Sequence, residues 1–160
     1  MIETQWLTAD ERSAWVKFAA VLELLPAALD LQLSRDQGLT HFEYFTLAML
    51  SEAPNRVLRT SALAARTNAT LPRLSRVVTR LESADFVKRS PCAEDRRATN
   101  VALTDAGWNK VVDAAPGHVA AVRSLVIDVL TPTQIYGLTE ALGAVLKRLD
   151  PDGRMLASEA

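Results

Sequence analysis

The chain has 160 residues, of which 49% are hydrophobic and 23% charged, the balance of an ordinary globular domain and not of a disordered segment. A single cysteine, Cys92, excludes an intrachain disulfide and fits a reducing compartment. The formal charge of −1 is unevenly spread: residues 56 to 97 hold ten basic and four acidic side chains, a net of +6, which leaves −7 for the rest and points to one surface for a polyanion and another for something else.

Helix signals dominate. Thr8 with Glu11, Thr40 with Glu43, and Thr131 with Gln134 each fit the capping box. In that motif a Thr hydroxyl accepts from a backbone N–H, and the side chain three residues on reaches back. The first helix is expected over about 9–35. Its apolar residues, among them Trp15, Val16, Phe18, Val21, Leu24, Leu29, Leu31 and Leu33, lie on several faces, so it needs burial on more than one side. Pro26 should kink it. A second helix follows over about 41–52, a short third over 60–67, and a fourth over 71–84 with Leu74, Val77, Val78 and Leu81 as its buried stripe. Residues 86–90 and 100–104 read as two strands of a hairpin with a long polar tip. Thr104 caps a fifth helix that Pro116 and Gly117 should bend or break. The last helix, about 132–149, carries Ile135, Leu138, Leu142, Val145, Leu146 and Leu149 on one stripe, and residues 151–160 form a flexible tail.

Helix, short helix, helix, then hairpin is the order of a winged helix-turn-helix. The fold class is therefore mainly α, with a winged helix-turn-helix over about 40–104 and a two-strand wing. The fourth helix is the candidate recognition helix. Its length of roughly 20 Å, at 1.5 Å per residue, suits the major groove. Its first turn favours Thr70, Leu71, Pro72, Arg73, Ser75 and Arg76 for base edges, with Arg80 further along the polar face. Arginine suits this work because its planar fork can bond guanine O6 and N7 together. At the hairpin tip, Asp95, Arg96 and Arg97 stand together, and an Arg held by a neighbouring carboxylate suits insertion into a narrow minor groove.

Several stretches together resemble the MarR (multiple antibiotic resistance regulator) family: residues 39–44, Leu63 with Ala64, residues 81–89, Asp95 to Arg97, and residues 103–107. The likeness covers about 10–149, so residues 1–150 read as one domain. It implies a homodimer whose first helix and last two helices (about 9–35 and 105–149) interlock. Each subunit would then present its winged helix to half of a pseudo-palindrome. It also implies that Arg97 is the wing arginine and Asp95 its partner, while Arg96 holds a variable position. Asp85 stands where the family usually has Gly, and Asp tolerates the left-handed backbone such a turn needs.

Small aromatic acids or phenols bound between the dimer helices and the DNA-binding lobe release many such proteins from DNA. On that resemblance Trp15, Phe18, His41, Tyr44, Phe45 and His118 are the candidate ligand residues. Two His and one Cys without a carboxylate cluster offer no metal site. No phosphate loop or nucleophile elbow is present, so neither cofactor nor enzyme activity is expected. No apolar run is long enough to span a bilayer, and the first residues lack a signal-peptide pattern, so the expected place is the cytoplasm, with no membrane partner. The expected function is a sequence-specific transcriptional regulator that binds duplex DNA as a homodimer, a repressor released by an aromatic effector. The alternative is a helical dimerisation or adaptor protein of the same fold without DNA binding.

Overall fold

In the computed structural model, which describes residues 4–93, 95 and 97–155, helices begin where the capping boxes stand. Helix α1 (Ala9–Gln37) starts at Thr8, whose N–H donates to Glu11 Oε2 at 2.7 Å. It runs as one helix through Pro26 and ends at Gly38, whose φ of 65° is the left-handed stop that glycine permits. Helix α2 (His41–Ser51) starts at Thr40 with the same reciprocal bonds to Glu43. A 3₁₀ turn at Pro54–Arg56 leads into β1 (Val57–Arg59) and directly into α3 (Thr60–Arg66). Helix α4 (Leu71–Ser83) begins at the Thr70 cap, with Pro72 in its first turn where a missing N–H costs nothing. Asp85, at a φ of 60°, turns the chain into β2 (Val87–Pro91) and β3 (Thr99–Leu103).

The expected hairpin of β2 and β3 forms, with Val87 opposite Leu103. A third strand joins it on the other edge: β1 pairs antiparallel with β3, Val57 opposite Ala102, giving the order β1-β3-β2. Three residues carry no readable periodicity; it is the free edge of β3 that makes them a strand.

Helix α5 (Asp105–Val122) corrects another expectation. It passes through Pro116 and Gly117 without a break, and the irregularity comes later, as a π-helical turn at Arg123–Ile127. Packing explains this. Ala114, just before Pro116, is fully buried, and Gly117 lies so close to Gln32 of α1 that an added Cβ would sit 3.2 Å from its Nε2. A proline removes one helical hydrogen bond, and contacts along α1 and α2 hold the helix across that gap. Helix α6 (Pro132–Leu149) starts from the third capping box, and the Asp150 carboxylate then takes the N–H groups of Arg154 and Met155 at 3.0 and 2.8 Å. Of the expected tail, residues 156–160 lie outside the described residues.

The core gathers Leu33 from α1, Leu47 and Leu50 from α2, Leu63 from α3, Leu74, Val78 and Leu81 from α4, and Val87 and Val101 from the sheet. Each side chain so buried contributes about 1.5–3 kcal/mol. Helix α4 is thereby fixed by three of its four stripe residues. The outer helices behave differently. Helix α6 has no buried residue, and Leu24, Leu31 and Val129 are each more than two-thirds exposed. Phe18, Val21 and Leu25 of α1 face Val126, Leu138 and Leu142 across an apolar cleft of about 610 Å³.

The wing meets α5 at a point with no room for a side chain. The Thr104 hydroxyl caps α5 by accepting from the Gly107 N–H at 3.0 Å and donates to Asp85 O at 2.6 Å. A Cβ on Gly107 would lie 2.0 Å from Phe86 O. Gly107→Ala is therefore expected to cost at least about 1–3 kcal/mol, the usual penalty of overpacking. Chemical denaturation would read this as a lower midpoint, and an unchanged midpoint would show that the junction can move apart.

Candidate nucleic-acid interface

The exposed face of α4 is built as its sequence suggests. Thr70 Oγ1 accepts from the Arg73 N–H at 3.4 Å, which sets the helix start, and Leu71, Pro72, Arg73, Ser75, Arg76 and Arg80 are all exposed. The arginines are nonetheless held. The Arg73 guanidinium lies 4.1 Å from the centre of the Phe42 ring. Arg76 Nε donates to Pro72 O at 3.3 Å, and Arg80 Nε pairs with Glu43 Oε1 at 3.0 Å.

The wing is bolted to this helix by Arg89 of β2. Its Nη1 donates to Glu82 Oε2 at 2.9 Å, and its Nη2 to Ser75 O at 2.8 Å and to Thr79 Oγ1 at 2.9 Å. Glu82 Oε1 also accepts the Arg89 backbone N–H at 2.9 Å. Four bonds thus hold the strand against α4, and several of them are charge-assisted, which makes them strong. At the tip, Asp95 Oδ1 accepts the backbone N–H of Arg97 at 3.0 Å. The carboxylate therefore shapes the turn that carries Arg97. Arg96 lies outside the described residues.

The two elements converge. Leu71 and Ser75 of α4, Asp95 and Arg97 of the wing, and Arg59, Thr60 and Ser61 at the start of α3 line one cleft of about 390 Å³. Thr60 Oγ1 closes its base by donating to Thr99 O at 2.8 Å. Arg56 takes no part: its guanidinium stacks 3.9 Å from the Trp108 ring centre and faces Asp105 at 3.6 Å.

The six candidate ligand residues fall into two groups. His41 stacks on Phe45 and on His118, with centroids 6.5 and 6.0 Å apart, and Tyr44 lies 4.6 Å from His118. Trp15 and Phe18 form a separate pair at 6.5 Å on the outer half of α1. His118 Nδ1 is buried with no hydrogen-bond partner among the described residues. Burial pushes His41 below the ordinary imidazole range, offset in part by Asp30, whose Oδ1 also accepts the His41 backbone N–H at 2.8 Å. Burial, then the neighbouring His41, lowers His118. Burial, then Glu52, raises Tyr44. Among the described residues no cluster of His, Cys, Asp or Glu could hold a metal ion, and no helix is long and apolar enough to cross a membrane.

Sequence reading assigned no part in the site to Phe42, Glu43, Glu82 or Arg89. Glu43 was visible only as a helix cap. The spacing of Glu82 and Arg89 carries no periodic signal, since they meet across a turn. Cys92, which directly follows β2, is buried.

The histidine pair is expected to make stability depend on pH. Both folded-state values lie below the unfolded value of about 6.5, so the unfolded chain takes up protons first as pH falls. The stability present in full above that value should be lost progressively below it. The melting temperature is expected to drop more steeply between neutral pH and pH of about 5 than in His118→Phe, which keeps the ring stack without the titration. Parallel curves would remove His118 from the acid sensitivity.

Comparison with known proteins agrees with this geometry. A family model described as "MarR family" matches residues 39–99. The crystal structure of Sco3205, a MarR family transcriptional regulator from Streptomyces coelicolor in complex with DNA, is similar over 94% of both chains at 42% identity, with a TM-score of 0.88. That of AbsC, a MarR family transcriptional regulator from the same organism, is similar over 91% of this chain and 98% of its own at 38% identity, with a TM-score of 0.85. The HTH-type transcriptional regulator PapX of Escherichia coli is 33% identical over 70 residues, and that match spans less than half of it, 43%. With the helix order, the winged sheet and a likeness of 42% identity along nearly its whole length, the chain belongs to the MarR family of transcriptional regulators.

Proposed function

We propose that this protein is a DNA-binding repressor that acts as a homodimer on a pseudo-palindromic operator and is released by a small aromatic or phenolic effector. The observation that carries the reading is the cleft in which the first turn of α4 and the tip of the wing converge. It lies in the segment of net charge +6, and lysine and arginine charge drives association with phosphates. In this reading α4 lies in the major groove with Arg73 and Arg76 toward base edges, and the wing presents Arg97, and Arg96 beside it, to the minor groove. Thr70, Leu71, Pro72 and Ser75 lie along the groove wall, and Arg80 meets phosphate. The complex of Sco3205 with DNA supports the reading.

The second copy accounts for the apolar outer helices. Leu24, Leu31, Val129 and the cleft between α1 and α6 expose more apolar surface than a stable monomer normally carries. The effector would occupy the group of His41, Tyr44, Phe45 and His118, where aromatic faces and an unpartnered ring nitrogen suit a flat molecule with one polar group. Trp15 and Phe18 fit the dimer contact better, since Phe18 lines the apolar cleft.

A mobility-shift titration tests this. Binding to duplex from the protein's own upstream region is expected to fall steeply with salt. Arg73→Ala should cost about 1–3 kcal/mol and relax preference at one base pair. Arg97→Ala should weaken binding with little change in that preference. Leu24→Glu should yield monomers in light scattering and abolish the shift. A dimer that binds no duplex at low salt would favour the adaptor reading.

A further inference from the structure

We propose that Phe42 and Glu43, in the first turn of α2, are positioning residues that preset Arg73 and Arg80 of the recognition helix for DNA. The proposal rests on the DNA-binding reading above and goes beyond it, because neither residue need touch DNA.

Arginine has many rotamers, and a flexible side chain loses that freedom when it binds. Here two arginines on the exposed face of α4 each have a partner on α2. Arg73, in the first turn, places its guanidinium carbon over the Phe42 ring, 4.1 Å from the ring centre. A guanidinium held by its face keeps its edge donors for a base or phosphate. Arg80, in the last turn, engages Glu43 through Nε at 3.0 Å, which leaves its two terminal nitrogens for a phosphate. The two anchors therefore grip opposite ends of the recognition helix from adjacent positions on α2.

Glu43 is suited to hold rather than to follow. It is 2% exposed, against 66% for the Arg80 side chain. One oxygen takes the Thr40 N–H at 2.8 Å and the other takes Arg80. The carboxylate cannot turn to a new partner without opening the cap of α2, and a buried carboxylate stripped of a partner is costly. Phe42 in turn is fixed by its place in the same turn, where its carbonyl accepts from Thr46 Oγ1 at 2.8 Å.

The test measures affinity for the operator duplex by fluorescence anisotropy, with melting temperature and dimer state as controls. Glu43→Gln keeps the capping box, since Gln serves at that position, and removes the ion pair. Phe42→Leu keeps apolar bulk and removes the π face, and Phe42→Tyr keeps both. Glu43→Gln and Phe42→Leu are each expected to weaken binding by about three- to tenfold, with Phe42→Tyr near wild type. The loss from Phe42→Leu should vanish when Arg73 is already Ala, and that from Glu43→Gln when Arg80 is already Ala. The crossed pairs, Phe42→Leu with Arg80→Ala and Glu43→Gln with Arg73→Ala, should multiply. If Glu43→Gln does not fold, the Leu and Tyr variants of Phe42 carry the test on their own.

Unchanged affinity in folded Phe42→Leu would overturn the proposal. So would a loss that persists in full in the Arg73→Ala or Arg80→Ala background, because that is the mark of a general structural role. Wild-type binding that survives both arginine replacements would sink this proposal and leave the DNA-binding reading standing. No binding by the wild type would sink both.

Discussion

A single buried carboxylate ties the basic, winged half of this molecule together. Glu43 is nearly inaccessible, and a carboxylate in such a place persists only with its hydrogen bonds and charge partner supplied. Supplying them joins the start of α2 to the last turn of α4. With Arg73 lying over Phe42 one residue earlier, α4 is set against α2 at both of its ends. The apolar stripe of Leu74, Val78 and Leu81 decides which face of α4 is buried, and the polar anchors decide how its outer side chains stand.

The wing depends on the same helix. Arg89 reaches from β2 to Glu82, Ser75 and Thr79, and the tight junction at Gly107 and Phe86 O fixes the other end of the hairpin to α5. Helix α4 and the wing are thus parts of one hydrogen-bonded unit, and the cleft between them is a consequence of these bonds. The aromatic group of His41, Tyr44, Phe45 and His118 adjoins that unit, because His41 occupies the same turn as Phe42 and Glu43. A displacement of that turn would be felt by both anchored arginines.

The outer helices obey a different economy. Several of their apolar residues, Leu24, Leu31 and Val129 among them, stand exposed, and α6 buries none of its own. Hydrophobic surface of this extent is a demand for association, and an interface of helices is the proposed answer. The molecule therefore divides its labour along the lines of its charge: a basic winged segment, and an acidic and apolar helical frame.

Much of this was legible in the sequence, for local reasons. Capping boxes are short-range bonds between residues three apart, so Thr8, Thr40 and Thr131 announced three helix starts without tertiary help. The stripe of α4 and the charge contrast were legible because periodicity and charge are additive along a chain. Asp85 kept its turn by adopting the left-handed backbone, as expected of Asp. What lay beyond the sequence depended on pairs distant along the chain. Strand β1 exists because β3 offers an edge, and α5 stays continuous at Pro116 because α1 and α2 pack against it. The division of the candidate ligand residues into two groups follows from where α5 meets α2. The roles of Glu43 and Arg89 belong to the same class. A charge pattern shows that arginines are present, but only the packing of α2, α4 and β2 decides which are pinned, by what, and in which direction they point.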